Sequence, residues 1–313
     1  MCIYTKYILN PKYLPSKRNN YSPPPLLDER LKYVPTKCGR CIECRKQKQR
    51  EWLIRMNEEL KDNSNALFIT LTISNKAIKE LKQYKEENEN DIATKAVRRF
   101  LERIRWHTKK SIKHWFVTEL GEEKGRIHLH GIVWCSKKLI QNNWQYGYVY
   151  IGDYVGEKTI TYITKYMLKE NENNKRFIPK VLCSKGIGSG FFKRRRRSPE
   201  YKKEYYRARN GAKIALPEYY RKNLFTDEEK EEIWLKNQEK GYRYIMGEKV
   251  STESEEEYNN IITYYQRRSK DLYKDDTIEW NKQKHLNKLR KMRLARMKEA
   301  RRRVNNSKKS VNN

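Results

Sequence analysis

Apolar and polar positions along this chain recur with two different periods. In "NALFITLTIS" (Asn65–Ser74) β-branched and aromatic residues crowd between polar ends, which predicts a strand. "HWFVTEL" (His114–Leu120) and "RIHLHGIVW" (Arg126–Trp134) predict two more, joined by a hairpin-like turn at "GEEKG", and "YGYVYIGDY" predicts another. Elsewhere the period lengthens. Glu43–Leu60 is helical in pattern, and "DIATKAVRRFLERIRWHTKK" gathers Ala93, Ala96, Val97, Phe100, Leu101 and Ile104 on one helical face, with Asp91 placed to cap it. "GEKTITYITKYMLKE" predicts a further helix, while the charged "NKAIKELKQYKEENEN" looks irregular. Trp52 and Trp106 are expected in the core. The order strand, helix, strand, strand, helix predicts an α+β fold: an antiparallel sheet with helices packed on one side.

The flanks have a different texture. Three consecutive prolines in "YSPPPLLDER" forbid helix, so residues 1–37 are expected to form an extended arm. A Cys-rich helical segment (38–64) leads into the core (65–175), followed by a basic accessory region (176–280). The last segment, 281–313, holds 13 lysines and arginines against one glutamate and has few large apolar positions; it is expected to be a tail that orders on nucleic acid.

Charge then decides what kind of partner to expect. Lys and Arg number 71 against 39 Asp and Glu, a formal net of +32. An excess of this size points to a polyanion, because each phosphate that is neutralised releases counterions. The 23 tyrosines among these cations suit unpaired bases, which stack on aromatic faces. The longest strongly apolar run, "ALFITLTI", is too short to span a bilayer, and "MCIYTKYILNPKYLPSKRNN" lacks a signal-peptide core. Six cysteines in such a chain argue for reduced thiols rather than a disulfide framework. The expectation is a protein of a reducing cytoplasm with no membrane partner.

Candidate chemistry sits in two segments. His128 and His130, two of five histidines, alternate on a strand and therefore share one face, where two imidazoles can hold a divalent cation. Gly131 is expected to leave room beside them. Pairing across the short turn brings Glu119 near both histidines as an anionic ligand; Glu122, in the turn itself, is a second candidate. In "TYITKYMLK", Tyr162 and Tyr166 stand four apart on one helical face, and each is followed three residues later by a lysine, Lys165 and Lys169. A phenol beside a cation-bound phosphate can act as a nucleophile, and a lysine there can stabilise the charge that develops. The bland alternative is a polar sheet face and a pair of core aromatics.

"FITLT", "IHLHG" and "YITKYMLK", in that order, resemble the three motifs of HUH endonucleases, which nick single-stranded DNA. The paired tyrosines resemble the two-tyrosine branch of that family. "VPTKCGRCIECRKQKQREWLIR", "SKGIGSGFF" and "LPEYYRKNLF" narrow the resemblance to replication initiators of the gokushovirus branch of the microviruses, over roughly residues 34–225. The resemblance implies a five-stranded antiparallel sheet flanked by helices, with Mg2+ or Mn2+ held by His128, His130 and an acidic residue of the preceding strand, which fits Glu119. It implies rolling-circle replication of a small phage genome in the cytoplasm of an infected bacterium. Tyr162 and Tyr166 would cut origin DNA, staying on the 5′ phosphate and leaving a 3′ hydroxyl for a host polymerase. Strand separation would fall to a host helicase, since no motor motif is present. The alternatives are a transposase or plasmid initiator of the same family, and a non-catalytic, zinc-stapled nucleic-acid-binding protein.

Three weaker signals remain. Cys38, Cys41 and Cys44 have the spacing of structural Zn2+ ligands, and Cys2, Cys135, Cys183 or a histidine could supply the fourth; plain reduced thiols at a helix start are the alternative. "KGIGSG" (Lys185–Gly190) could cradle a phosphate but lacks the strand-to-helix setting, so a flexible turn is expected. Lys193, Arg194, Arg195, Arg196 and Arg197 form a basic run expected to contact the DNA backbone. His107, His114 and His285 suggest no role.

Overall fold

The computed structural model describes residues 2–84, 87–121, 125–169 and 177–273. The 281–313 tail, His285 and Glu122 lie outside the described residues. The elements run β1 (Lys6–Leu9), β2 (Tyr33–Thr36), α1 (Ile42–Asp62), β3 (Leu67–Thr72), α2 (Asn75–Leu81), α3 (Glu89–Thr108), β4 (Lys113–Leu120), β5 (Ile127–Trp134), α4 (Lys137–Asn143), β6 (Val149–Gly152) and α5 (Glu157–Lys165). They continue with β7 (Val181–Cys183), α6 (Phe191–Arg196), β8 (Tyr205–Arg207), β9 (Lys213–Ala215), α7 (Glu218–Leu224), α8 (Asp227–Glu239), β10 (Tyr242–Ile245), β11 (Glu248–Ser251) and α9 (Glu255–Tyr273). The chain forms two compact units. One runs from Lys46 to Phe225; the other is built from the segments before and after it.

The first unit is an α+β layer structure around a five-stranded sheet of order β6-β3-β5-β4-β7, antiparallel at every pairing. Side chains alternate across each strand, so register sorts them into two cores. On one face, Ile69, Leu71, Phe116, Leu129 and Val133 meet Leu81 of α2 and Ala96, Phe100 and Ile104 of α3. On the other, Trp115, Val117 and Ile132 meet Trp52 and Met56 of α1 and Ile160 and Ile163 of α5. Helices therefore cover both faces, where the sequence suggested one. The charged stretch expected to be irregular forms α2, capped by Ser74, whose hydroxyl accepts from the Ala77 amide. In α3 the cap is Asn88, and Asp91 completes a reciprocal capping box at the third helical position. Trp106 is not in the core: it is 70% exposed, because two residues beyond Ile104 a helix has turned to its opposite side.

Gly131 departs from expectation as well. It lies on the face away from His128 and His130, opposite Phe116 in the ladder. A Cβ there would strike the Phe116 ring and stand 2.6 Å from the Trp115 carbonyl oxygen, so the missing side chain makes room for Phe116.

The fifth strand, β7, falls beyond residue 175, and the segment after it is clamped to α1 by two buried carboxylates. Glu59 accepts from Lys113 (2.5 Å) and from the Gly188 amide (2.7 Å). Glu58, 1% exposed, accepts from the Tyr206 hydroxyl (2.7 Å) and Arg194 (2.8 Å) and pairs with Lys61. Arg55 donates twice to the Ile187 carbonyl, and the Tyr220 hydroxyl donates to that of Gly188 (2.9 Å). "KGIGSG" is thus a packed loop: Ile187 is fully buried, and Gly186 and Gly188 adopt φ near +76° and +77°, which favour glycine.

In the second unit the expected extended arm contains β1 and β2, paired antiparallel from Lys6↔Thr36 to Leu9↔Tyr33. β10 and β11 form a hairpin whose two turn residues, Met246 and Gly247, both have positive φ (50° and 84°), the condition for a tight primed turn. Ile245, Met246, Val250, Ile261 and Tyr265 are buried there, and the Tyr265 hydroxyl donates to Glu248 (2.6 Å). Among the described residues no helix is long and apolar enough to cross a membrane.

Two outcomes follow for stability. Gly131→Ala should cost on the order of 1–3 kcal/mol in urea denaturation, because backbone as well as a ring must shift. Burial by itself would raise the Glu58 carboxyl, but hydrogen bonds from Lys61, Tyr206 and Arg194 outweigh it and hold it below the usual carboxylate value. Its stabilisation is therefore present above about pH 4.3 and lost as pH falls through the lower folded value. Glu58→Ala should cost about 2–4 kcal/mol at pH 7, and the gap from wild type should narrow in acid.

Candidate active site

The site is built on the face of the sheet covered by α1 and α5. Register sets it: Glu119 of β4 lies opposite His128 of β5, while Thr72 and Thr70 of β3 lie opposite His128 and His130. Directly paired residues share a face, so two imidazoles, a carboxylate and two hydroxyls converge. The hydroxyl of Thr70 stands 3.1 Å from Nδ1 of His130, and that of Thr72 stands 3.0 Å from Nδ1 of His128. With both Nδ1 atoms occupied, the Nε2 atoms are left to face the site. Neither threonine was singled out from the sequence, although "FITLT" places them two apart, in phase with "IHLH" once the strands are paired.

His130, 8% exposed, has its Nε2 atom 2.5 Å from Oε2 of Glu119, and Lys169 pairs with the other carboxylate oxygen. Burial would raise the Glu119 carboxyl; hydrogen bonds from His130 and Lys169 hold it below the usual range instead. Burial pushes His128 below the ordinary histidine value, so its imidazole is neutral at neutral pH. The space beside His128 is provided by Gly121, where a Cβ would come within 3.2 Å of Nε2. His128, His130 and Glu119 thus offer an N, N, O donor set with both imidazoles oriented by hydroxyls and an open flank, a set suited to a divalent cation. The three are spread more widely than the cysteine cluster, the group that closes within 4.8 Å among the described residues.

The tyrosines come to the same place. Helix α5 is shorter than expected: it ends at Lys165, Tyr166 is its C-cap, and Lys169 lies beyond it. The Tyr166 ring stacks on His130 at 3.9 Å between centroids and 4° between planes. Its hydroxyl is 2.6 Å from that of Tyr162, whose own ring is half-exposed and packs edge-on to Phe68. Burial, and the hydrogen bond with Tyr162, raise the Tyr166 phenol well above the ordinary tyrosine value. The Lys169 ammonium, paired with Glu119, lies 5.9 Å from the Tyr166 ring centroid. Lys165 is exposed. Tyr162 also borders a cleft of about 1090 Å³ lined by Lys61, Lys158, Lys165 and Arg209 among others.

The other singled-out residues are scattered. In α6, Arg195 is buried and bonds Glu200 and the carbonyls of Lys203 and Tyr205, and Arg194 is engaged by Glu58 and Asp62; Lys193, Arg196 and Arg197 are exposed. Cys38, Cys41 and Cys44 gather with Cys2 in the second unit. His114 is tied to Ser184 (2.9 Å) away from the site face.

Residues 66–171, from β3 through the tyrosine helix, match the family model for the replication-associated protein ORF2. The chain is similar to Replication-associated protein ORF4 of Chlamydia phage 1, with 24% identity over 163 residues, covering 44% of this chain and 38% of that protein. It is similar to Replication-associated protein ORF2 of Spiroplasma virus 4 at 24% over 183 residues, covering 50% of this chain and 56% of that protein. The match thus spans about half or less of each curated relative. No solved structure matches. The chain carries a replication-associated protein ORF2 domain and is a relative of the replication-associated proteins of small single-stranded DNA phages.

Proposed function

We propose that this protein is the initiator of rolling-circle replication of a small phage genome: an HUH-type enzyme that cuts and rejoins single-stranded origin DNA through a 5′-phosphotyrosine. The observation that carries the proposal is the stack of Tyr166 on His130 with Tyr162 bonded to it, which puts two phenols beside the candidate cation ligands. His128, His130 and Glu119 would hold Mg2+ or Mn2+, which when bound would polarise the oxygens of the scissile phosphate.

The chain's own residues do the rest. A phenol oxygen of Tyr162 or Tyr166 attacks phosphorus; the new O–P bond forms as the P–O3′ bond breaks. The phenol gives up its proton, and the departing 3′ oxygen takes one to become a hydroxyl. Lys169, beside Tyr166 and Glu119, favours a phenolate and the charge on the phosphoryl oxygens. The hydrogen bond between the two phenols lets one stabilise the other's anion, so they can serve in turn: the second cuts the regenerated origin while the first is occupied. Attack by the free 3′ hydroxyl on the phosphotyrosine reverses the step, frees the tyrosine and closes a circle. The basic cleft beside Tyr162 suits the backbone of a single strand. A host polymerase would extend the 3′ end and a host helicase would separate strands, in the cytoplasm of an infected bacterium.

A labelled origin oligonucleotide incubated with the protein and Mn2+ should acquire a protein adduct that survives denaturation, and chelation should prevent it. Replacing both Tyr162 and Tyr166 by Phe should lower adduct formation by on the order of 10³-fold or more, while retention of DNA on a filter persists. Retention of the oligonucleotide by wild type without any cutting would replace this reading with simple binding. Thr70→Val and Thr72→Val together should raise the Mn2+ concentration needed for half-maximal cutting by roughly 10–100-fold, since the imidazoles lose the hydroxyls that orient them; an unchanged metal requirement would remove the threonines from the site.

A further inference from the structure

Away from the histidine face, the two N-terminal segments bring four thiols together. Cys2 precedes β1; Cys38 and Cys41 lie in the turn between β2 and α1; Cys44 is in the first turn of α1. All four sulfurs lie within 4.8 Å of one another. Cys38 and Cys44 are 3.9 Å apart and Cys41 and Cys2 are 3.8 Å apart. Sulfurs at the corners of a tetrahedron with Zn–S bonds of ~2.3 Å stand about 3.8 Å from each other, whereas a disulfide needs ~2.05 Å. The spacing is that of four ligands around one ion, not of two bridges.

The backbone is arranged for thiolates as well. The Cys38 amide points at the Cys2 sulfur (3.4 Å) and the Cys41 amide at the Cys38 sulfur (3.3 Å). The second contact is made possible by Gly39, whose φ of +72° turns the chain back within "CGRC". A tetrathiolate around a divalent cation carries a net negative charge, and Lys37, Arg40, Arg45 and Lys46 flank the cysteines in sequence to offset it. Cys2 is itself held in place: its carbonyl accepts from the Thr5 hydroxyl (2.9 Å), and the carbonyl of the next residue, the buried Ile3, accepts from Gln266 of α9 (2.6 Å).

We propose that Cys2, Cys38, Cys41 and Cys44 form a structural zinc site, with Cys2 as the ligand that closes the tetrahedron. The site has four protein ligands and no open position, so its task is cohesion: it staples the segment ahead of β1 to the start of α1. It is independent of the cation at the histidine face, which has no sulfur ligand.

The full chain, purified under reducing conditions without chelator, should contain stoichiometric zinc by elemental mass spectrometry, and Co2+ exchanged into it should show intense thiolate charge-transfer absorption. Cys135→Ser with Cys183→Ser, and His128→Ala with His130→Ala, should keep both signals. Cys2→Ser should weaken metal binding by at least ~10-fold. Should a cysteine variant fail to fold, wild type still decides: native alkylation mapped by mass spectrometry should spare these four cysteines until a chelator is added. Absence of zinc and of the cobalt spectrum, wild-type affinity in Cys2→Ser, or alkylation indifferent to chelator would each overturn the proposal.

Discussion

The register of three antiparallel strands is the constraint on which the rest depends. Because β3 and β4 pair with β5 at Thr70↔His130, Thr72↔His128 and Glu119↔His128, every donor needed at the site falls on one face. A slip of one residue would send both histidines into the core that Leu129 and Phe116 now fill, and would bring Leu129 to the site. The same ladder explains the two glycines. Gly131 admits Phe116 on the far face, which locks the register from behind, and Gly121 keeps a side chain away from the His128 nitrogen at the strand's end.

Onto that face α5 delivers two phenols of unequal surroundings. Tyr166, at the helix terminus, is drawn down onto the His130 ring and loses water; Tyr162, one turn earlier, stays half-exposed at the rim of a basic cleft. A helix that continued through Lys169 would keep the two in equivalent positions. Ending it at Lys165 lets the following turn bring Lys169 back to Glu119, so one local change of backbone joins the carboxylate, an ammonium and a phenol.

The charge of +32 is not spent uniformly. Arg194, Arg195 and Arg55 are drawn inward, answering buried carboxylates and carbonyl groups and holding the chain beyond β7 against α1. Two consecutive buried glutamates, Glu58 and Glu59, organise this clamp. The basic run therefore has a structural half as well as an exposed half, and length of run alone does not measure phosphate-binding capacity.

What the sequence determined by itself was local: the β-branched run of β3, the apolar face of α3, the alternation that puts His128 and His130 together, and the spacing of Tyr162 and Tyr166. Each rests on a period of two or of about three and a half residues, which needs only near neighbours. Tertiary structure decided what depends on partners distant in the chain: the second layer of helices, the fifth strand beyond residue 175, the outward turn of Trp106, the true purpose of Gly131, and the threonines behind the histidines. It also chose Cys2 to join Cys38, Cys41 and Cys44, because 36 residues of intervening chain leave no periodic trace of where a sulfur will return.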